Sequence, residues 1–229
     1  MEFQGLNKLS LLDYPGKVAA ILYMNKCNFC CEFCHNWNSL IAAKDNEDII
    51  FDDILSFLKK RIGVLDGVVV TGGEPTLMPD LEDKISKIKE LGYLVKLDTN
   101  GTNPEVVKNL VDKHLIDYVA MDVKSSLEEY ARFTKDDKLF SKVEETIKYL
   151  KSNVIDYEFR CTLISEYHSE DVIRKMSKLL KGGKKLYLQQ FKVSDGVLNK
   201  NLHPVDEGLA NKFVDIFRKD IDVVELRGY

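Results

Sequence analysis

Six candidate strands recur along the chain, the apolar runs 18–24, 67–71, 94–97 and 118–121 and two later segments, 157–164 and 186–191, separated by stretches with helical periodicity. The run Val18-Ala-Ala-Ile-Leu-Tyr-Met24 suits a strand buried on both faces, and 67–71, 94–97 and 118–121 repeat that signature. Between them, Ile54, Leu55, Leu58 and Ile62 share one helical face. Lys59, Lys60 and Arg61 sit near its C-terminal end, where the helix dipole favours cations. Leu81, Ile85, Ile88 and Leu91 make a second stripe that Gly92 ends. Asn103 and Pro104 read as an N-cap and a first-turn proline opening a helix over 106–115. Further helices are expected over 143–150, 172–180 and 209–217. Strand and helix alternating in this way predict an α/β fold of six parallel β/α units. Periodicity does not choose between an open doubly wound sheet and a β/α barrel. No repeat, low-complexity tract or Pro/Gly-rich linker interrupts the chain, so 1–229 is read as a single domain.

In either arrangement the ligand site lies at the carboxyl ends of the strands. Polar residues gather there. A cysteine cluster follows the first run, Gly72-Gly73-Glu74-Pro75 the second, Asp98-Thr99-Asn100-Gly101 the third and Asp122-Val123-Lys124 the fourth, while Arg160 sits inside the fifth. The balance of 33 basic and 37 acidic residues gives −4, which lends no electrostatic support to nucleic-acid binding. The longest apolar run, 18–24, is too short to cross a bilayer. The opening Met1-Glu2-Phe3-Gln4 has neither a basic nor an apolar signal region, so the chain is expected to be cytoplasmic, with no membrane partner.

Four of the five cysteines, Cys27, Cys30, Cys31 and Cys34, fall within eight residues. A disulfide framework would spread its cysteines to close loops, so this crowding points to metal or cluster binding. Cys27, Cys31 and Cys34 form C-x3-C-x2-C, three soft thiolates of the kind that hold iron–sulfur clusters or zinc. Three ligands on a four-iron cube leave one iron open to a substrate. Cys30 also allows two abutting C-x2-C pairs, a four-thiolate zinc site, but these lack the long spacer between ordinary zinc knuckles.

The C-x3-C-x2-C loop after the first strand and Gly-Gly-Glu-Pro after the second resemble the radical S-adenosylmethionine (SAM) enzymes. Asp13-Tyr14-Pro15-Gly16, Cys34-His35-Asn36, Asp98-Thr99-Asn100-Gly101 and Asp122-Val123-Lys124 extend the likeness to activating enzymes of glycyl radical enzymes. Nearest among these are the short activators of anaerobic ribonucleoside-triphosphate reductase, with the pyruvate formate-lyase activator a relative. Lys26 departs from them, since a glycine often precedes their first cysteine. The resemblance implies a partial (β/α)6 barrel in which Cys27, Cys31 and Cys34 hold a [4Fe–4S] cluster. SAM would chelate the open iron through its amino and carboxylate groups.

The resemblance also assigns SAM contacts. Phe33 would lie against the adenine, with backbone contacts from Cys34 and His35; a loop aromatic packed on the fold is the competing reading of Phe33. Gly72 and Gly73 allow close backbone approach to a ligand, and Glu74 offers a carboxylate to the methionine ammonium. Asp98, Thr99 and Asn100 would reach the methionine end or the ribose, although Asn100-Gly101 also reads as a simple turn. Asp98, Thr99, Asp122 and the Ala120 carbonyl would form a monovalent cation site. Lys124 and Arg160 are cations in or beside apolar strands, so each needs a carboxylate, from SAM or Asp122. Gln189 and Gln190 end the sixth run and face either the cofactor or the core. Cys161 reads as a core thiol, His114 as a surface residue near a helix end, and His168 and His203 as loop residues.

The implied reaction is reductive cleavage of SAM by a one-electron donor such as flavodoxin or ferredoxin, in anaerobic conditions. The resulting 5′-deoxyadenosyl radical would then take a hydrogen atom from a glycine of a partner enzyme. Two alternatives stay open: a radical SAM enzyme acting on a small molecule, as 7-carboxy-7-deazaguanine synthase does, and a non-enzymatic zinc module.

Overall fold

All six candidate segments become strands in the computed structural model, which describes residues 3–37, 48–134 and 136–229; Met1 and Glu2 of the opening lie outside them. They are β2 (Ala19–Met24), β3 (Gly67–Gly72), β4 (Leu94–Thr99), β5 (Tyr118–Asp122), β6 (Asp156–Leu163) and β7 (Lys185–Gln190). Two strands carry no such run: β1 (Gly5–Ser10), whose middle is exposed, and β8 (Val223–Arg227), where only Val224 is fully buried. The strands follow chain order, β1 to β8.

Helices of the described residues include α1 (Phe51–Lys59), α2 (Leu81–Glu90), α3 (Pro104–Asp112), α4 (Lys138–Lys151), α5 (Glu170–Leu180) and α6 (Glu207–Phe217). Two of them stop earlier than their apolar stripes suggest. Helix α1 ends before Ile62, which is 57% exposed; Gly63, at φ +80°, turns the chain so that Leu65 enters the core instead. Helix α3 ends before Leu115 because His114 adopts φ +54°. The Leu115 amide then reaches back to the Leu110 carbonyl and the His114 amide to that of Val111, a closing pattern that satisfies the last carbonyls. Gly92, at φ +89°, ends α2 as expected. Ser169 and Asp206 cap α5 and α6 through their side chains.

The chain divides into two compact units. The first comprises Met1–Asn28, Ser39–Thr99 and Glu105–Val119; the second comprises Phe29–Asn38, Asn100–Pro104 and Ala120–Tyr229. Each is assembled from separate segments, so no linker marks a boundary in the sequence. In the first unit, β1 runs antiparallel to β2, while β2, β3 and β4 are parallel and in register through Ala19↔Gly67 and Gly67↔Leu94. One sheet face there carries a buried cluster of Tyr14, Ala19, Ile21, Val69 and Tyr118, with Tyr23 and Leu94 against it. In the second unit, β6, β7 and β8 are parallel, with Phe159↔Leu186 and Lys185↔Val223 in register. These registers align the carboxyl ends of neighbouring strands, which is where the site residues lie.

Candidate active site

In the first unit, the turn after β3 clasps the segment leading into Cys27. The Gly73 amide donates to the Met24 carbonyl at 2.7 Å and the Glu74 amide to the Lys26 carbonyl at 2.7 Å. Both glycines are required for this approach. A Cβ on Gly72, whose φ is +111°, would lie 2.2 Å from the Met24 oxygen, and one on Gly73 would lie 2.0 Å from that of Lys26. The close approach inferred from the motif is therefore made to the strand exit that carries the first cysteine.

Glu74 is fully buried. Its Oε1 accepts from the Thr76 amide at 3.1 Å, the Thr76 hydroxyl at 2.5 Å and the Thr99 hydroxyl at 2.8 Å. The carboxylate thus caps the short 3-10 turn Pro75–Leu77, a structural task the motif alone does not reveal. On β4, Asp98 accepts from Lys96 Nζ at 2.5 Å on Oδ1 and from Thr71 Oγ1 at 3.0 Å on Oδ2. Cys27 closes this unit's part of the motif and is half-buried.

In the second unit, Cys31 is buried, Cys34 half-buried and Cys30 exposed. The Cys34 amide bonds to the Cys31 carbonyl at 3.0 Å and the Cys30 amide to the Phe133 carbonyl at 2.7 Å, which fixes the loop backbone. Phe33 packs edge-on to Phe133, with centroids 6.0 Å apart, and beside Tyr167 at 6.1 Å, while Lys124 Nζ stands 5.8 Å over its ring. Glu32 anchors the loop further, accepting from Tyr167 Oη at 2.8 Å and Asn199 Nδ2 at 3.0 Å. Those two bonds hold its carboxyl below the usual range. The His35 ring rests on Phe191, with Nδ1 3.2 Å from Ser194 Oγ, and burial lowers its basicity. Burial raises the Cys34 thiol above its usual range, against the pull of the Asn36 backbone and Lys124.

The carboxylate that Lys124 and Arg160 require is Asp122. Lys124 Nζ lies 2.8 Å from Oδ2, and Arg160 Nε lies 2.8 Å from Oδ1. Burial alone would raise the Asp122 carboxyl, but the Arg160 and Lys124 charges outweigh it and hold the group far below the usual carboxylate range. Burial would likewise lower Lys124, but the Asp122 carboxylate beside it outweighs that and holds the ammonium well above the usual range.

His168 is not an ordinary loop residue. It is 2% exposed, and its Nδ1 accepts from the Ile164 amide at 2.9 Å, so the proton on Nε2 is directed to the Lys124 carbonyl at 3.0 Å. Burial pulls its pKa down to about 4, so the ring is neutral at pH 7. Cys161, 3.5 Å from the same Nε2, is the expected core thiol, with its pKa pushed up by burial to about 12. His203 is exposed and paired with Glu166 at 2.7 Å. Asn100 accepts from the Thr102 amide at 3.0 Å and hydroxyl at 2.7 Å, closing the turn through Gly101. Gln189 and Gln190 are half-buried at the end of β7.

Lys96, Tyr167, Glu32 and His168 were not read from the sequence as site residues. For Lys96 the signal was available, a cation within an apolar strand, the same signal that singled out Lys124 and Arg160. Among the described residues, no three His, Cys, Asp or Glu side chains gather as a single metal ion would need. The donor set itself suits a four-iron cube, which takes soft thiolates, each on a different iron. No helix of the described residues is long and apolar enough to cross a membrane.

The pattern of the Radical SAM superfamily matches residues 21–179, and the chain belongs to that superfamily. A protein of Methanocaldococcus jannaschii named "Putative glycyl-radical enzyme activating enzyme MJ1227" is 35% identical to it, covering 97% of this chain and 94% of that protein. The 7-carboxy-7-deazaguanine synthase of Neisseria meningitidis is 32% identical over 48% of this chain and 45% of its own length. The solved structure of Streptococcus suis SuiB bound to S-adenosylmethionine superposes with a TM-score of 0.69 at 15% identity, covering 91% of this chain and 49% of SuiB. That likeness shows the fold, an α/β partial barrel. The family implies a [4Fe–4S] cluster and SAM as cofactors, and the chain is an enzyme of the radical SAM type.

Proposed function

We propose that the chain activates a glycyl radical enzyme, making a radical on a backbone glycine of that partner protein. The observation that carries this reading is the near full-length likeness to the M. jannaschii activating-enzyme relative. Cys27, Cys31 and Cys34 would hold the [4Fe–4S] cluster, whose open iron takes SAM. Bound there and reduced by one electron from a flavodoxin- or ferredoxin-type donor in an anaerobic cytoplasm, the cofactors supply SAM cleavage and hydrogen-atom abstraction. The chain's own residues orient. Gly72, Gly73 and Glu74 set the exit of β2 toward Cys27, and the Asp122–Lys124–Arg160 group supplies charge beside the cysteine loop. Glu74 would receive the methionine ammonium, Phe33 and the Cys34–His35 backbone would border the adenine, and Asp98 and Asn100 would serve the methionine end or the ribose.

Glu74 has two roles that substitution separates. Glu74→Gln keeps an oxygen for Thr76 and Thr99 but removes the charge, so the unfolding midpoint should hold while SAM affinity falls ten- to a hundredfold. That loss corresponds to roughly 1.5–3 kcal/mol for a charge-assisted contact. Glu74→Ala should lower both. SAM affinity unchanged in Glu74→Gln, measured by equilibrium dialysis on cluster-loaded protein, would reduce Glu74 to a cap.

The partner is tested by electron paramagnetic resonance. Reduced protein with SAM and a glycyl radical enzyme encoded nearby should give a doublet signal that vanishes when the partner's radical-site glycine becomes alanine. Silence with every candidate partner, alongside turnover of a small heterocycle, would replace the activase with a small-molecule enzyme akin to the deazaguanine synthases.

A further inference from the structure

The residues expected to bind a diffusible cation already have charged or hydrogen-bonding partners. Asp122 holds Lys124 and Arg160, the Thr99 hydroxyl is donated to Glu74, and both oxygens of Asp98 are engaged by Lys96 and Thr71. Lys96 is the unusual member. It lies inside β4 between Val95 and Leu97, both fully buried, and its side chain is 2% exposed. In register it stands beside Val69 of β3, itself beside Ile21 of β2, so its stem follows an apolar row while its ammonium reaches Asp98 Oδ1 at 2.5 Å. Asp98 is 11% exposed at the side chain, so the pair is nearly dry. A buried ammonium is costly unless its partner sits against it, and the same holds for the carboxylate.

We propose that Lys96 is a tethered counter-ion, doing at Asp98 the work of a bound alkali cation and freeing this chain from any need for Na+ or K+ there. An ammonium carries the same single charge, and its three N–H groups can serve the oxygens a bare cation would coordinate. Fixed on β4, it is present at unit occupancy whatever the salt. The geometry also divides the labour of two adjacent residues: Asp98 is committed to Lys96 and Thr71, and Thr99 to the carboxylate of Glu74. The inference concerns the chain alone and does not rest on the identity of its protein substrate, so its failure would leave the activase reading untouched.

The test compares reconstituted wild type and Lys96→Met in sodium, potassium and choline chloride at one ionic strength. Unfolding midpoints are read by circular dichroism and SAM affinity by dialysis. Wild type should give the same midpoint and affinity in all three salts. Lys96→Met leaves Asp98 without its cation and should unfold roughly ten degrees lower in choline. Sodium or potassium, but not choline, should restore at least half of that loss in a saturable way. Adding Asp98→Asn to Lys96→Met should abolish the alkali response. A saturable alkali dependence in wild type would overturn the proposal. So would a Lys96→Met protein equally destabilised, or equally insoluble, in every salt, because Lys96 would then be only a structural partner of Asp98.

Discussion

Serine in place of Cys27, Cys31 or Cys34 should strip the iron and abolish SAM cleavage, whereas Cys30→Ser should keep about four irons per chain and remain active. The difference is one of ligand softness and of place. A serine hydroxyl is a hard, poorly ionised donor that does not replace a thiolate on iron. Cys30 is exposed, while Cys31, its immediate neighbour, is buried, so the two abutting thiols are held in different surroundings. Cys161 supplies an internal control. Its thiol is buried beside His168 with its pKa pushed up to about 12, so it keeps its proton at neutral pH and Cys161→Ser should leave the iron content unchanged. Iron and acid-labile sulfide assays on anaerobically reconstituted protein, with visible absorption, read the outcome. Full iron in any of the three ligand variants would sink the assignment. A colourless protein carrying one zinc, lost on Cys30→Ser, would establish the zinc module instead.

The elements read most reliably from the sequence were those buried on both faces. Runs such as 67–71 and 118–121 carry no period of their own, but they are too short for an ordinary helix, and they became β3 and β5. Strand β1 escaped because its middle residues Asn7, Lys8 and Leu9 are exposed and its strand character comes from antiparallel pairing with β2. That pairing is a tertiary fact with little local signature. At the site, Asp122, Lys124 and Arg160 were legible because ionic side chains in apolar strands demand partners, and the partners proved to be one another. Gly72 and Gly73 were legible as points of close approach, but what they approach, the backbone of Met24 and Lys26, depends on the register of β2 against β3. His168 was invisible for a different reason. The two groups that fix its ring, the Lys124 carbonyl and the Ile164 amide, belong to the backbone, and no side-chain pattern announces them.

Asp122→Asn should be among the most destabilising conservative substitutions in the second unit. The amide keeps the carboxylate's shape but leaves two cations, Lys124 and Arg160, each 15% exposed at the side chain, facing a neutral group. Removing one partner of a buried ionic group costs roughly 3–5 kcal/mol. Asp122 itself is 30% exposed, which places the expected loss near 3 kcal/mol, or about ten degrees in the unfolding midpoint. Lys124→Met and Arg160→Met should each cost less, since Asp122 then keeps one cation. The pH dependence identifies the cause. Because the folded Asp122 carboxyl is held below its unfolded value, its contribution is complete above the unfolded carboxylate pKa of about 3.9. It is lost as pH falls from there toward the depressed folded value. Lys124, held above its unfolded value, contributes fully below about pH 10.4 and progressively less as pH rises beyond it. The midpoint difference between wild type and Asp122→Asn should therefore be widest between about pH 5 and 9 and shrink on acidification toward about pH 2. A difference that stays constant from neutral pH down to that limit would show that the asparagine disturbs packing, and that the charge at Asp122 does not hold Lys124 and Arg160 in place.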